Sequence, residues 1–468
     1  MGRSKKYPLI RQLEIIDFAA EGKSLGKTDG MVVFVPQTIP GDIVDVQVNR
    51  KRKNFMEGFV TGFHKYSEDR IKPFCKHFGV CGGCKWQHLP YSEQLKYKQK
   101  QVKDSLERIG NVTVSGLLPI IPSDNQRFYR NKLEYTFSEN RWLTDEEVKS
   151  KSEISDRNAL GFHIPGRFDR VLDIHQCYLQ PDPSNAIRLK IKEYALKNNL
   201  RFFNHVKQQG FLRNLIIRNT TGGEIMVILS FFENKTDEIN ALMEFIANEF
   251  PQLTSLMYAI NPKGNDTLYD LDIKLFGGKD YILERFENLS FKIGPKSFFQ
   301  TNALQALKLY EVARNFAGLT GSEIVYDLYT GTGTIALFIA GNCEKVIGID
   351  NIPEAIADAA SNAGENGIGN VSFFVGDLKD VLNSDFILEQ GKPDVMIIDP
   401  PRAGMHPEVV KSVLVISPER IVYVSCNPAT QARDIQLMSE TYELRKVQPV
   451  DMFPHTHHVE NVVLLEKR

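Results

Sequence analysis

Ile324-Val325-Tyr326-Asp327-Leu328-Tyr329-Thr330-Gly331-Thr332-Gly333-Thr334 is the stretch that decides the fold. A β-branched and aromatic run passes into a glycine loop and then into a helical pattern from Ile335, the strand, turn and helix that open a doubly wound α/β sheet. The alternation continues downstream. Val346 to Asp350, Val371 to Val375 before Gly376-Asp377, Val395 to Ile398 before Asp399-Pro400-Pro401-Arg402, Ile421 to Val424, and Val462 to Leu465 read as further strands. Ligands of such sheets bind outside the carboxyl ends of the strands. Tyr329, Asp350, Asp377, Asp399 and Cys426 all fall there.

Gly331-x-Gly333-x-x-Ala336 alone also fits a nicotinamide dinucleotide, whose pyrophosphate needs a helix N-terminus. Asp350 suits ribose hydroxyls in either case. The rest of the crevice discriminates, because Asp399-Pro400-Pro401-Arg402 and Ser425-Cys426-Asn427-Pro428 have no use in hydride transfer but suit methyl transfer to a ring. Asn427-Pro428 makes a rigid turn that aims the Cys426 thiol. A lone cysteine is commonly a buried structural thiol, and Cys343, with no motif around it, is read that way.

The sheet occupies residues 291–468. Residues 1–68 alternate short β-like runs (Leu13 to Ile16, Met31 to Val35, Ile43 to Val48) with turns such as Pro40-Gly41-Asp42, which predicts a small antiparallel barrel with Arg50-Lys51-Arg52-Lys53 as a basic tip. Residues 69–290 are mixed α+β. Helices are expected at Tyr91 to Arg108 and at Thr236 to Glu249, the latter with Thr236 as N-cap and Ile239, Leu242, Met243 and Ile246 on one face. Arg127-Phe128-Tyr129-Arg130-Asn131-Lys132 and Arg213 to Arg218 interleave cations with aromatic or aliphatic residues, and together they suggest an RNA surface.

With 468 residues, 42% hydrophobic and 25% charged, the chain has the composition of a multidomain globular protein. A net charge of -1 confines any nucleic-acid site to a local patch. No stretch is long and apolar enough to span a bilayer, and the N-terminus lacks a signal core, so a cytoplasmic protein without a membrane partner is expected. Six cysteines in a reducing compartment are thiols, ligands or nucleophiles. Cys75, Cys81 and Cys84 cluster in a glycine-rich loop. Their spacing with a distant fourth cysteine suits zinc and an iron-sulfur cluster equally.

Tyr326 to Gly333, Asp399 to Arg402, Ser425 to Thr430 and Asp451 to Glu460 resemble the RNA uracil-5-methyltransferase family, in the branch acting on large-subunit (23S) ribosomal RNA. Gly22 to Lys27 with Val35 to Asp42 resembles the TRAM domain, an oligonucleotide-binding-type barrel. The resemblance implies a Rossmann-like methyltransferase domain behind a TRAM barrel and a central iron-sulfur domain, with a monomer acting on ribosomal RNA. It implies S-adenosylmethionine as donor, contacted by Gln300, Tyr329, Asp350, Asp399 and, with less support, Asp377. Phe298 would lie near the target base, although core packing suits Phe298 and Phe299 as well. Cys75, Cys81, Cys84 and Cys177 match the ligands of a [4Fe-4S] cluster. His455, His457 and His458 would line the base pocket. Tyr329-Thr330 stands where many relatives carry Phe-Cys.

The chemistry explains the residue types. Carbon 5 of uracil is a poor nucleophile until a thiolate adds to carbon 6. The resemblance makes Cys426 that nucleophile, Glu460 the base that removes the carbon-5 proton, and Asp399 a group orienting base or donor, although Asp399 also reads as a helix N-cap. A stacked base must be extruded, so a loop or unwound segment is the expected target. A transfer RNA uridine methyltransferase is the nearest alternative, and a noncatalytic RNA-binding protein is the alternative from another class.

Overall fold

The computed structural model describes residues 7–150 and 156–468. Residues 1–6, the head of the segment searched for a signal core, and residues 151–155 lie outside the described residues. Leu9–Phe18, Ser24–Thr28, Met31–Val35, Phe55–Lys65 and Ile43–Lys51 close in that order into a barrel. In Ile43–Lys51 the side chains alternate, Val44, Val46 and Val48 inward and Asp45 and Gln47 outward, as a two-residue period requires. The expected antiparallel barrel contains one parallel pair, Met31–Val35 against Phe55–Lys65. Five strands in a closed ring cannot all alternate in direction. The basic tip is exposed, with Arg50 paired to Glu57 at 3.1 Å.

A second sheet has the order Ile273–Gly278, Ser255–Ile260, Ile225–Phe231, Leu212–Asn219, Lys132–Ser138, Ala159–Ile164 and Arg167–Asp173. Helices Ser184–Lys197 and Thr236–Glu249 pack on it through Ile187, Ile191, Ile239, Leu242, Met243 and Ile246. Lys235, not Thr236, takes the cap position, and it makes no side-chain cap bond. Leu212–Asn219 is central and buried, so its cations turn inward. Arg213 donates to Asp266 at 2.9 Å and to the carbonyls of Asn261 and Asn265 at 2.8 Å, while Arg218 donates to the Ser297 carbonyl at 2.9 Å. The run read as part of an RNA face is an internal brace.

The third sheet has the order Val371–Val375, Lys345–Asp350, Ile324–Leu328, Val395–Ile398, Arg420–Ser425, Glu460–Lys467 and Tyr442–Val450. The first five strands are parallel and Glu460–Lys467 runs antiparallel to Arg420–Ser425. Tyr442–Val450 carries charges and Pro449, a composition suited to an edge and silent as a strand pattern. No helix among the described residues is long and apolar enough to cross a membrane.

Helix Tyr91–Arg108 buries Gln94, Lys98, Val102 and Leu106, about one residue per turn. Val102 and Leu106 join the core of the third sheet beside Ala432 and Ile435. Lys98 Nζ, fully buried, lies 2.6 Å from Asp451 Oδ1 and donates to the Phe453 carbonyl at 3.0 Å. Tyr91 donates to the other Asp451 oxygen at 2.8 Å. Lys98→Ala strands a buried carboxylate, so it should lower the unfolding free energy by about 3–5 kcal/mol, read from denaturation midpoints. Lys98→Met combined with Asp451→Leu should recover much of that loss.

Candidate active site

Tyr329 follows the central strand Ile324–Leu328 with φ 63°, and Gly331 and Gly333 have φ 54° and 76°. A Cβ at Gly333 would come within 2.9 Å of Ala359 and Phe373, so the turn needs glycine for space as well as for backbone. Asp350 closes the adjacent strand. Its carboxylate accepts from Gly331 N and Ile352 N, both at 3.0 Å. Tyr329, Asp350, Gly376 and Asp377 line a cavity of about 420 Å³. Asp377 is at its exposed edge, paired with Lys379 at 3.1 Å. Tyr329 also lines a smaller recess of about 40 Å³ with Phe298, Gln300, Asp327, Thr332 and Asp399. Every donor contact implied by the resemblance therefore borders one of two recesses that meet at Tyr329.

Phe298 and Phe299 separate cleanly. Phe299 is buried and stacks on Phe286 at 5.5 Å, whereas Phe298 is 66% exposed at the mouth of the small recess. An exposed ring at a recess is available to a base. The Asn131 side chain donates to the Gln300 carbonyl at 2.9 Å, fixing the backbone of this segment.

Cys426 ends strand Arg420–Ser425, and Asn427 caps the following helix, Pro428–Met438, with Pro428 in its first turn. Ser425 pairs with Asn461 in the antiparallel register. The pairing ends there, and Glu460, the residue before Asn461, is near enough for its charge to act on the Cys426 thiol. Asp399 ends the neighbouring strand. It caps no helix, because the chain turns through Pro400 to Met405 and His406 caps the next helix, Pro407–Ile416. The Arg402 carbonyl accepts from Asn427 Nδ2 at 3.0 Å and Thr430 Oγ1 at 3.2 Å, tying the Asp399 turn to the Cys426 turn.

Burial pushes the Cys426 thiol up to about 11, with Glu460 and Asp399 acting in the same direction and the Arg402 guanidinium against them. Burial, reinforced by Asp399, raises Glu460 to about 8. Burial and Asp327 raise Asp399 to about 7. Asp327 itself rises to about 7, mainly by burial; Thr330 donates to its Oδ2 at 2.6 Å and its Oδ1 is buried without a partner. The sequence reading assigned no role to Asp327 or Arg402, although both lie inside the quoted motifs. Thr330, the departure from Phe-Cys, supplies that hydroxyl.

These carboxyls hold protons more tightly folded than unfolded. Their stabilisation is complete below the ordinary carboxyl range near about 4 and is lost as pH rises through about 7 to 8. The ligand-free protein should therefore melt at a lower temperature at alkaline than at mildly acidic pH, and Asp399→Asn should flatten that dependence.

The segment before Glu460 is clamped from the N-terminal side. His455, with φ 64°, accepts at its carbonyl from Lys85 N at 2.8 Å and Trp86 N at 3.0 Å. Gln94 accepts from His455 N at 2.8 Å and donates to the Trp86 and Leu89 carbonyls at 3.0 and 2.8 Å. Nothing in the sequence marks Gln94. Burial lowers His455 and His457 to about 4 and His458 to about 3, so all three are neutral at pH 7.

Cys75, Cys81, Cys84 and Cys177 line one cavity of about 970 Å³. Burial raises Cys81 to about 11 and Cys84 to about 12, with Cys177 and Cys75 raising both further and Cys81 also raising Cys84. The Asn185 amide holds Cys177 through its N at 2.8 Å and its carbonyl at 3.0 Å. Among the described residues no three of these sulfurs lie mutually within 4.8 Å.

Residues 195–468 match the family model described as tRNA (Uracil-5-)-methyltransferase, and residues 11–61 match the TRAM domain. An uncharacterized RNA methyltransferase of Bacteroides thetaiotaomicron is 56% identical over 96% of this chain and 100% of its own length. One of Porphyromonas gingivalis is 54% identical over 97% and 99%. Among solved structures, the Pyrococcus abyssi tRNA (uracil-54, C5)-methyltransferase in complex with S-adenosyl-L-homocysteine is similar with a TM-score of 0.76 and 28% identity, covering 97% of this chain and 100% of that one.

Proposed function

The chain belongs to the RNA uracil-5-methyltransferase family, and we propose that it methylates carbon 5 of a uridine in large-subunit (23S) ribosomal RNA through a covalent Cys426 adduct. The observation that carries this reading is the convergence of Glu460 and Asp399 on the Cys426 thiol, where the pairing of the last strands ends, with Asp399 in a recess edged by an exposed aromatic, Phe298.

S-adenosylmethionine, when bound, supplies a methyl group on a cationic sulfonium. The residues suit it: Gly331 lines the small recess and a Cβ there would meet no protein atom, Asp327 Oδ1 is buried without a partner, and a cation beside Asp327 and Asp399 would hold their carboxyls in the charged form. Tyr329 and Asp350 hold its nucleoside part, Gln300 and Asp399 the end near the reacting methyl. Phe298 stacks on the extruded uracil.

The Cys426 thiol gives up its proton to solvent and the thiolate adds to carbon 6, forming the sulfur–carbon bond and moving the ring double-bond electrons to carbon 5 and the neighbouring carbon-4 carbonyl oxygen. Arg402 favours the thiolate. Once carbon 5 carries the methyl, Glu460 takes its proton; the electron pair re-forms the double bond and the carbon–sulfur bond breaks, freeing Cys426. Asp399 keeps Glu460 and the donor in line.

We read residues 1–68 as an RNA-holding barrel, 69–290 as the metal-bearing and RNA-contacting part, and 291–468 as the catalytic part of a cytoplasmic monomer. Cys75, Cys81, Cys84 and Cys177 would hold a [4Fe-4S] cluster, which would give their loop its fold; four thiols lining one cavity support this reading. Anaerobically purified protein should absorb broadly near roughly 400 nm and contain iron, and stoichiometric zinc at the thiols of a colourless protein would defeat this assignment. Transfer RNA is the second reading, favoured by the likeness to the Pyrococcus abyssi enzyme. Mapping 5-methyluridine in ribosomal and transfer RNA from cells with and without the protein decides between them. Loss of the mark from neither RNA would overturn both.

A further inference from the structure

Outside the catalytic recess, and without any of the four thiols, His163, His205 and Asp266 each bring one ligand atom to within 4.8 Å of the others, His163 from the lining of the cysteine cavity. We infer that these three residues form a second metal site, for a divalent ion of the zinc type, that staples the central sheet together.

The three residues come from separate segments. His163 belongs to strand Ala159–Ile164, His205 to the loop before Leu212–Asn219, and Asp266 to the loop after Ser255–Ile260. The imidazoles meet edge to face at 4.9 Å, and the His205 ring also meets Phe203 at 5.0 Å. Packing alone accounts poorly for the pair. Both ring nitrogens of His205 and Nδ1 of His163 are buried without a hydrogen-bond partner. A neutral imidazole has one N–H and one lone pair, and leaving them unmet in the interior is costly.

The protonation states suit ligation. Burial lowers both histidines, His205 to about 4, so each presents a lone pair at neutral pH. Arg213, fully buried, bears on His205 with its positive charge, but that charge is met by Asp266 at 2.9 Å and by the carbonyls of Asn261, Lys263 and Asn265. The same contacts hold the Asp266 loop in place, as a hydrogen bond to a ligating carboxylate does in metal centres. Asp169, paired with Arg167 at 3.1 Å and Arg170 at 3.4 Å, adds negative charge felt by both imidazoles. Asp266 is exposed, leaving an ion accessible from solvent with a position for water.

Two imidazole nitrogens and one carboxylate oxygen select a borderline divalent ion, zinc above all, and not an iron-sulfur cluster, which needs thiolates. The ion's task is structural. His163 itself lines the cysteine cavity, as do Ile164 and Pro165 after it, so the staple fixes that wall against two loops of the sheet.

The test uses the full-length protein, purified anaerobically with its iron retained, incubated with Zn2+ or Co2+ and passed over a weak chelator. Wild type should keep about one divalent ion besides its iron, and the Co2+ form should show ligand-field bands without a thiolate charge-transfer band. His205→Gln and Asp266→Asn should each lose that ion and those bands with iron content unchanged. Asp266→Asn keeps an oxygen that can accept from Arg213 while removing the carboxylate charge, and so reports even if His205→Gln does not fold. Zn2+ should raise the melting temperature of wild type and not that of Asp266→Asn. A wild type that retains no divalent ion, or an Asp266→Asn protein that binds it as tightly as wild type, overturns the site.

Discussion

Cys426→Ala should abolish methyl transfer, lowering turnover by roughly 10⁴-fold or more, while donor binding survives. The donor recesses are lined by Tyr329, Asp350, Gln300 and Asp399 and do not include the thiol. Without a sulfur to add at carbon 6 no electrons reach carbon 5, and the enzyme keeps only its binding contribution. RNA carrying 5-fluorouridine supplies the sharper measurement, because fluorine cannot leave as a proton does and the adduct is trapped. Wild type should give a band that resists denaturing electrophoresis, and Cys426→Ala should give none. Substantial transfer by the alanine variant would move the nucleophile elsewhere.

Glu460→Gln should fail at the opposite end of the reaction. The thiol still adds and the methyl still arrives, but nothing removes the carbon-5 proton, so covalent methylated enzyme–RNA complex should accumulate on ordinary uridine. Steady turnover should fall by about 10²- to 10⁴-fold, with a burst of methyl incorporation equal to the enzyme present. The two variants thus have opposite signatures on a denaturing gel. In the wild type, burial raises Glu460 to about 8, so turnover should climb with pH towards that value as the carboxyl reaches its charged form. A Glu460→Gln protein that turns over normally without accumulating adduct would assign the proton transfer to another group.

Much of this site is legible in the sequence because parallel strands, buried on both faces, are written as continuous apolar runs. Ile324–Leu328 and Val395–Ile398 announce themselves, and their ends place Tyr329 and Asp399 at once. Glu460 is different. It comes near Cys426 only because an antiparallel strand inserts next to Arg420–Ser425, and apolar patterning does not specify which strands become neighbours. Phe298 and Phe299 were indistinguishable until the backbone turned one in and one out. Arg213 and Arg218 read as surface charge, and only the fold reveals the carbonyls that solvate them inside. Gln94 and Lys98 spoil the apolar stripe of their helix, since their partners lie near the far end of the chain.

The hydrogen bonds from Lys85 and Trp86 to the His455 carbonyl join early and late parts of the polypeptide, and this orders the protein's biogenesis. During synthesis the sulfur-bearing loop leaves the ribosome long before the residues that brace it, so it must wait, incompletely shaped, for translation to finish. A message cut short before His455 would therefore yield a fragment that lacks Glu460 and whose cysteine loop lacks these two hydrogen bonds.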